Sequence, residues 1–176
     1  MEQYEFDPMA VELAFGTGEK ILPAWNIDLG GNHELALRGI IDRVDLCRLP
    51  DRSEALAVIM DYKSSAKQLD PLLLSHGLQL QLPAYLAFLR HTPDAERVFG
   101  VPKLVPAGVF YVNLRGEFRG GKTRTEVLDG AKDTRQNAYQ HAGRFDLSAL
   151  QHGRPVCRMS AQWSLPRRPM GFLIWF

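Results

Sequence analysis

The chain has 176 residues, 45% hydrophobic and 23% charged, with a formal net charge of +1. That is long enough for one domain with a real core, and too balanced for a histone-like basic surface, although a local groove of Arg and Lys could still track phosphates. The two cysteines, Cys47 and Cys157, stand far apart and outside any Cys-x-x-Cys, which argues against a disulfide framework or a Cys-rich zinc site and points to a reducing cytoplasm. No window approaches the roughly 18 apolar residues of a membrane span, and the acidic N-terminus lacks a signal peptide's basic start and apolar run.

In chain order, Met9–Gly16 reads as a short strand closed by glycine, and residues 17–34 as loop with one extended piece, Ala24–Leu29. Leu35–Leu49 and Ala55–Lys63 are strand candidates separated by the turn chemistry of Pro50-Asp51-Arg52-Ser53-Glu54, which predicts an antiparallel hairpin. Helical spacing follows from Asp70 to Arg90, with Asp70 as N-cap and Pro71 in the first helical position. Leu74, Leu78, Gln81 and Tyr85 form one stripe, and Pro83 is expected to kink or restart the helix. A loop marked by Pro102 and Pro106 precedes a strand, Ala107–Leu114; residues 115–125 read as a charged, Gly-rich loop, Glu126–Arg144 as a helix weakened by Gly130, and 146–176 as a tail without clear periodicity. The order of elements predicts an α/β fold with a mixed sheet.

Alternation along a strand places Ile40, Asp42, Val44 and Leu46 on one face, so that Asp42 is a carboxylate among apolar neighbours. Asp61 and Lys63, two residues apart, point the same way at roughly 6.5–7 Å along the strand. A turn centred on Asp51–Arg52 makes Asp42 and Asp61 face each other across the ladder, with Cβ atoms roughly 4.5–5.5 Å apart. Two carboxylates so close repel unless a positive charge sits with them. An ordinary structural role would pair Asp42 with Arg43 or Arg38 and leave Asp61–Lys63 as a solvated strand-end pair. Arg43 points away from Asp42, however, and apolar residues flank both strands on both sides, as in a buried sheet. Asp42, Asp61 and the Tyr62 backbone carbonyl suit Mg²⁺, a hard cation with oxygen ligands that keeps several waters. Such an ion activates water and stabilises charge at phosphorus, and Lys63 can orient or help deprotonate the attacking water or neutralise that charge. Together these make a phosphodiester hydrolase in outline.

The segments Leu37–Leu46 (LRGIIDRVDL), Val58–Ser65 (VIMDYKSS) and Gly77–Leu86 (GLQLQLPAYL) resemble the PD-(D/E)XK nuclease superfamily, in the branch of the AddB and RecB helicase–nuclease subunits, over Val11 to Leu114. The resemblance implies a restriction-endonuclease-like mixed sheet flanked by helices and an Mg²⁺- or Mn²⁺-dependent DNA exonuclease acting in double-strand-break repair and recombination. It also implies a helicase partner, either a separate subunit or a region of the same polypeptide. The family's metal-binding acids fall on Asp42 and Asp61, its lysine on Lys63, and its Gln-x-x-x-Tyr motif on Gln81 and Tyr85, one helical face beside the active site and the DNA strand. Glu12, in Val-Glu-Leu-Ala-Phe-Gly, matches a glutamate early in this branch, as an accessory or structural residue. Relatives place a metal-binding His on a helix upstream of the first Asp; here only His33 precedes Asp42, in a predicted loop, and it does not match. The chain is therefore expected to be a C-terminal piece of a larger polypeptide. Two cysteines cannot hold the four-cysteine iron–sulfur cluster of many relatives, so none is expected.

Residues 116–123 satisfy Gly-x-x-x-x-Gly-Lys-Thr after a predicted strand, but neither a strong helix nor an apolar strand ending in Asp follows, as a nucleotide-binding loop requires. A solvated loop, or one touching DNA phosphates through Arg115, Arg119, Lys122 and Arg124, fits better. The competing functional readings are a non-catalytic DNA-binding scaffold with a nuclease fold, and a stand-alone Cas4-like or phage-recombination exonuclease.

Overall fold

The apolar runs of Gly39–Arg48 and Glu54–Lys63 form adjacent strands at the centre of a five-stranded sheet. A computed structural model describes residues 6–17, 22–50, 53–65, 67–114 and 141–146, with 123 and 125. Its elements are β1 (Asp7–Phe15), β2 (Trp25–Gly30), β3 (His33–Leu37), β4 (Gly39–Arg48), β5 (Glu54–Lys63), α1 (Pro71–Ser75), α2 (Gln81–Arg90), α3 (Ala95–Phe99), β6 (Lys103–Asn113) and β7 (His141–Phe145). The sheet order is β1-β4-β5-β6-β7, with β5 and β6 parallel and the other neighbours antiparallel, and β2 and β3 pair separately as a hairpin. This is the α/β, mixed-sheet architecture expected from the order of elements. Among the described residues no helix is long and apolar enough to cross a membrane.

The hairpin register is the one the turn predicts: Arg43 faces Met60, Asp45 faces Val58 and Arg48 faces Ala55. The single strand expected over Leu35–Leu49 is instead two, β3 and β4, which belong to different sheets and are separated at Arg38. Strict alternation along β4 also fails. Ile41, Val44 and Leu46 all lie in the main core, whereas Ile40 is 51% exposed. The change of face falls between residues 41 and 44, where the β4–β5 ladder has ended and β4 continues against β1 alone.

The expected helix over Asp70–Arg90 is broken into two. Asp70 caps α1 as predicted, its carboxylate accepting from Leu72 N at 2.8 Å, with Pro71 in the first turn. Gly77, at φ 72°, ends α1 while Leu78 N donates to the Leu73 carbonyl; this is glycine termination in the left-handed region. The stripe is therefore interrupted, and Leu78 is 71% exposed. Pro83 sits in the first turn of α2, where a missing N–H costs nothing, and so marks a start and not a kink. The short helix α3 occupies part of what reads as loop, and β6 begins at Lys103, four residues earlier than expected. Pro106 is tolerated inside β6 because the register shifts there: Ala57 faces Pro106 but Val58 faces Gly108.

Helix α2 packs on β5 and β6. Leu82, Phe88 and Leu89 from α2 and Ala95 and Phe99 from α3 join Val44, Leu46, Ala57 and Ile59 in the main core. Phe88 stacks on Phe15 with ring centroids 3.8 Å apart. A second cluster, including Leu56, Val58, Met60 and Phe110, covers the opposite face. The C-terminal end of the helix expected over Glu126–Arg144 is corrected: His141–Arg144 belong to β7, paired with β6. Residues 126–140 of that helix, the loop motif at 116–122 and the tail from 147 lie outside the described residues. Cys47 is buried and disulfide-bonded, a correction to the expectation that argued against a disulfide framework.

Candidate active site

Asp42 sits where β4 parts from β5. The ladder's last pair is Arg43 with Met60, so the expected facing pair of Asp42 and Asp61 falls one step beyond it. There the Asp42 side chain replaces the missing backbone acceptor: Tyr62 N donates to Asp42 Oδ2 at 2.8 Å. The carboxylate is thus held to β5 by a backbone amide, with no basic partner among the described residues. Across the other edge of β4, the register that pairs Val11 with Arg43 and Leu13 with Ile41 brings Glu12 opposite Asp42. Glu12 takes φ 51°, in the left-handed region.

Asp61, on β5, is 2% exposed. Its Oδ2 is buried without a hydrogen bond among the described residues, and Lys63 Nζ lies 2.5 Å from it. The interaction is an ion pair lacking hydrogen-bond geometry. The expectation that Asp61 and Lys63 share a side is therefore met, and a wholly solvated pair is not what forms. Charge burial is costly, and one lysine leaves an oxygen with acceptor capacity in hand. Tyr111 on β6 lies beside Asp61 in parallel register, and Asn113 beside Lys63. The Asn113 Oδ1 is likewise buried without a partner among the described residues. Burial, and secondarily the Asp61 charge, pushes the Tyr111 phenol up, while Lys63 opposes the shift.

Arg43 is engaged on the opposite face from this patch. Its guanidinium grips Asp45, which has no exposed surface, by Nε to Oδ1 at 2.6 Å and Nη2 to Oδ2 at 2.7 Å. Nη1 also donates to the Tyr62 hydroxyl at 3.3 Å. Asp45, above all, holds the Arg43 guanidinium well above its ordinary value. His141 on β7 lies in the same charge field; burial first, then Arg43, pushes its imidazole down, and Asp45 opposes. Arg43 and Asp45 are two apart on a strand, so their common face was readable from sequence. His141 was not, because its strand was read as helix.

Tyr85, half-buried on α2, packs edge-on to Phe15 with centroids 5.9 Å apart and lies over Gly39. A Cβ on Gly39 would stand 2.8 Å from Tyr85 Cε1 and 3.1 Å from Phe15 Cε1. Gln81 is exposed in the first turn of α2. Among the described residues no hydrogen bond joins Gln81 or Tyr85 to Asp42, Asp61 or Lys63. His33 opens β3 and is exposed.

The description "PD-(D/E)XK nuclease superfamily" belongs to a family model that matches residues 1–163. A curated relative from Lactobacillus helveticus (strain DPC 4571), named as a subunit of an ATP-dependent helicase/deoxyribonuclease, is 32% identical over 158 residues, which is 86% of this chain and 13% of the relative. Proteins of the same name from Oceanobacillus iheyensis and Lysinibacillus sphaericus (strain C3-41) are 36% identical over 126 residues, 69% of this chain and 10% of the relative, and 39% identical over 111 residues, 62% of this chain and 9% of the relative. The chain thus spans about a tenth of the length of these relatives. With the family model covering nearly the whole chain over a mixed sheet flanked by helices, this chain belongs to the PD-(D/E)XK nuclease superfamily.

Proposed function

We propose that the chain is a metal-dependent deoxyribonuclease domain that hydrolyses DNA phosphodiester bonds as an exonuclease, working with a helicase in double-strand-break repair and recombination. The observation that carries this reading is Asp61: a carboxylate 2% exposed that, among the described residues, has an oxygen lacking a hydrogen bond and only Lys63 as counter-charge, one step past the end of a ladder from Asp42. A hard divalent cation, Mg²⁺ or Mn²⁺, fits such a donor set. Asp42 and Asp61 would hold it, with the Tyr62 carbonyl. Such an ion completes its shell with several waters. The chemistry a cation supplies there is acidification of water and neutralisation of charge at phosphorus.

The chain's own residues orient and balance this chemistry. The Tyr62 amide fixes Asp42. Lys63, paired with Asp61, supplies positive charge close to where negative charge grows on the phosphoryl oxygens. Gln81 and Tyr85 face the DNA strand beside the site. The names of the relatives, helicase/deoxyribonuclease subunits, support DNA as substrate and a helicase as partner.

Incubation with linear single-stranded DNA and Mg²⁺ or Mn²⁺ tests the reading. The chain is expected to degrade the strand, and Asp61→Ala to reduce cleavage to background. Equal degradation by both proteins, or none by either, counts against catalysis at this site. The lack of a third acid among the described residues favours one rival, a DNA-binding scaffold, and tight binding without cleavage would support it.

A further inference from the structure

Tyr111 lies beside Asp61 in the parallel β5–β6 pair and is almost fully buried. Two ammonium groups lie over its ring, Lys63 Nζ at 5.8 Å and Lys67 Nζ at 5.0 Å from the centroid. The two lysines are not equivalent. The charge of Lys63 is taken up by Asp61 at 2.5 Å. Lys67, half-buried in the segment after β5, has no carboxylate partner and no hydrogen bond among the described residues. The face of a tyrosine ring attracts a cation but offers it no anion.

That position is built into the fold. The Gln79 side chain clamps the neighbouring backbone, its Oε1 accepting from Asp70 N at 2.9 Å and its Nε2 donating to the Gln68 carbonyl at 3.2 Å. Leu69 packs against the main core. Lys67 is therefore tethered one residue before an anchored strap and is not a free surface arm.

We propose that Lys67 is a phosphate-binding residue of the site, holding a backbone phosphodiester next to the one cleaved. The inference rests on the nuclease reading above. An ammonium partly withdrawn from water, and unpaired among the described residues, gains strongly from an arriving anion. A nucleic acid strand supplies one such anion per nucleotide. Lys63 acts at Asp61 and the phosphoryl group being cleaved, so the division of labour is one lysine for the reacting phosphate and one for its neighbour on the strand.

Two measurements on the full chain test the assignment. In the active protein, Lys67→Ala is expected to raise KM for a linear single-stranded oligonucleotide roughly tenfold, the worth of one charged hydrogen bond, with the loss falling on KM and not on kcat. In an Asp61→Ala background, binding of the same oligonucleotide across a salt series is expected to weaken. The slope of log affinity against log salt should also flatten by about 0.7, because one phosphate is no longer neutralised. Lys67→Arg should restore most of both. A role confined to propping Tyr111 would lower the melting temperature and leave the salt slope unmoved, which overturns the assignment. Lys67→Gln, which keeps the stem and removes the charge, provides the same readout if the alanine variant folds poorly. If the wild-type chain cuts DNA and the Lys67 variants match it in KM and salt slope, the assignment falls alone. If the wild-type chain neither binds nor cuts, the nuclease reading falls and takes the assignment with it.

Discussion

Glu12 holds φ 51° in the middle of β1, opposite the point where β4 changes face. A left-handed conformation costs a residue with a Cβ about 1–2 kcal/mol, and glycine almost nothing. The strain lies across the strand pair from Asp42, where such outliers help to aim a functional side chain. Glu12→Gly is therefore expected to raise stability by about 1 kcal/mol in urea denaturation, and Glu12→Val to lower it, because a branched Cβ suits this φ least. If both variants lose stability alike, the strain is not what sets the energetics of this position. Strand alternation is a good guide to residues 43–48, where the ladder is regular, and misleads at 40–42. A side chain that replaces a backbone acceptor, as Asp42 does for Tyr62 N, leaves no trace in a pattern of apolar and polar letters.

At the scale of elements, turns and caps were the legible features. The hairpin register, the Asp70 cap and the Pro71 start all rest on chemistry within a few residues. Where an element ends was harder to read, since Gly77 stops α1 through a left-handed conformation that the apolar stripe conceals. Strand β7 is the clearest case of tertiary override: His141–Arg144 read as helix until pairing with β6 claims them. That placement has a pH consequence. Burial and the Arg43 charge depress the His141 imidazole below its ordinary 6.5. The folded state therefore binds fewer protons than the unfolded state below that value, and stability falls as pH drops through 6.5 towards the depressed value. Denaturation midpoints measured between pH 7.5 and pH 5, on the order of two pH units apart, should decline in the wild-type chain. His141→Gln should flatten that decline, and an unchanged slope would mean that His141 is not the group responsible.

For the whole molecule, the joint between β1 and α2 decides whether the site is assembled. Phe15 stacks on Phe88, Tyr85 packs edge-on to Phe15, and Gly39 leaves the room that Tyr85 needs. Phe88 is 1% exposed, and Phe88→Ala is expected to cost about 3–5 kcal/mol, read as a lower urea midpoint, since it opens a cavity at the place where strand and helix are held together. A loss well under 1 kcal/mol would mean that the joint relaxes to fill the space. By itself the sequence determined the α/β class, the β4–β5 hairpin and its register, and the shared side of Asp61 and Lys63, because side-chain alternation and turn chemistry act over a few residues. Only the tertiary structure decided that Asp42 is held by the Tyr62 amide, that the Arg43 guanidinium also reaches the Tyr62 hydroxyl, and that Lys67 lies over the Tyr111 ring. Those arrangements depend on β4 passing from β5 to β1 and on β6 returning parallel to β5 across some forty residues of helix and loop, and no local period of a sequence encodes which distant strands will meet.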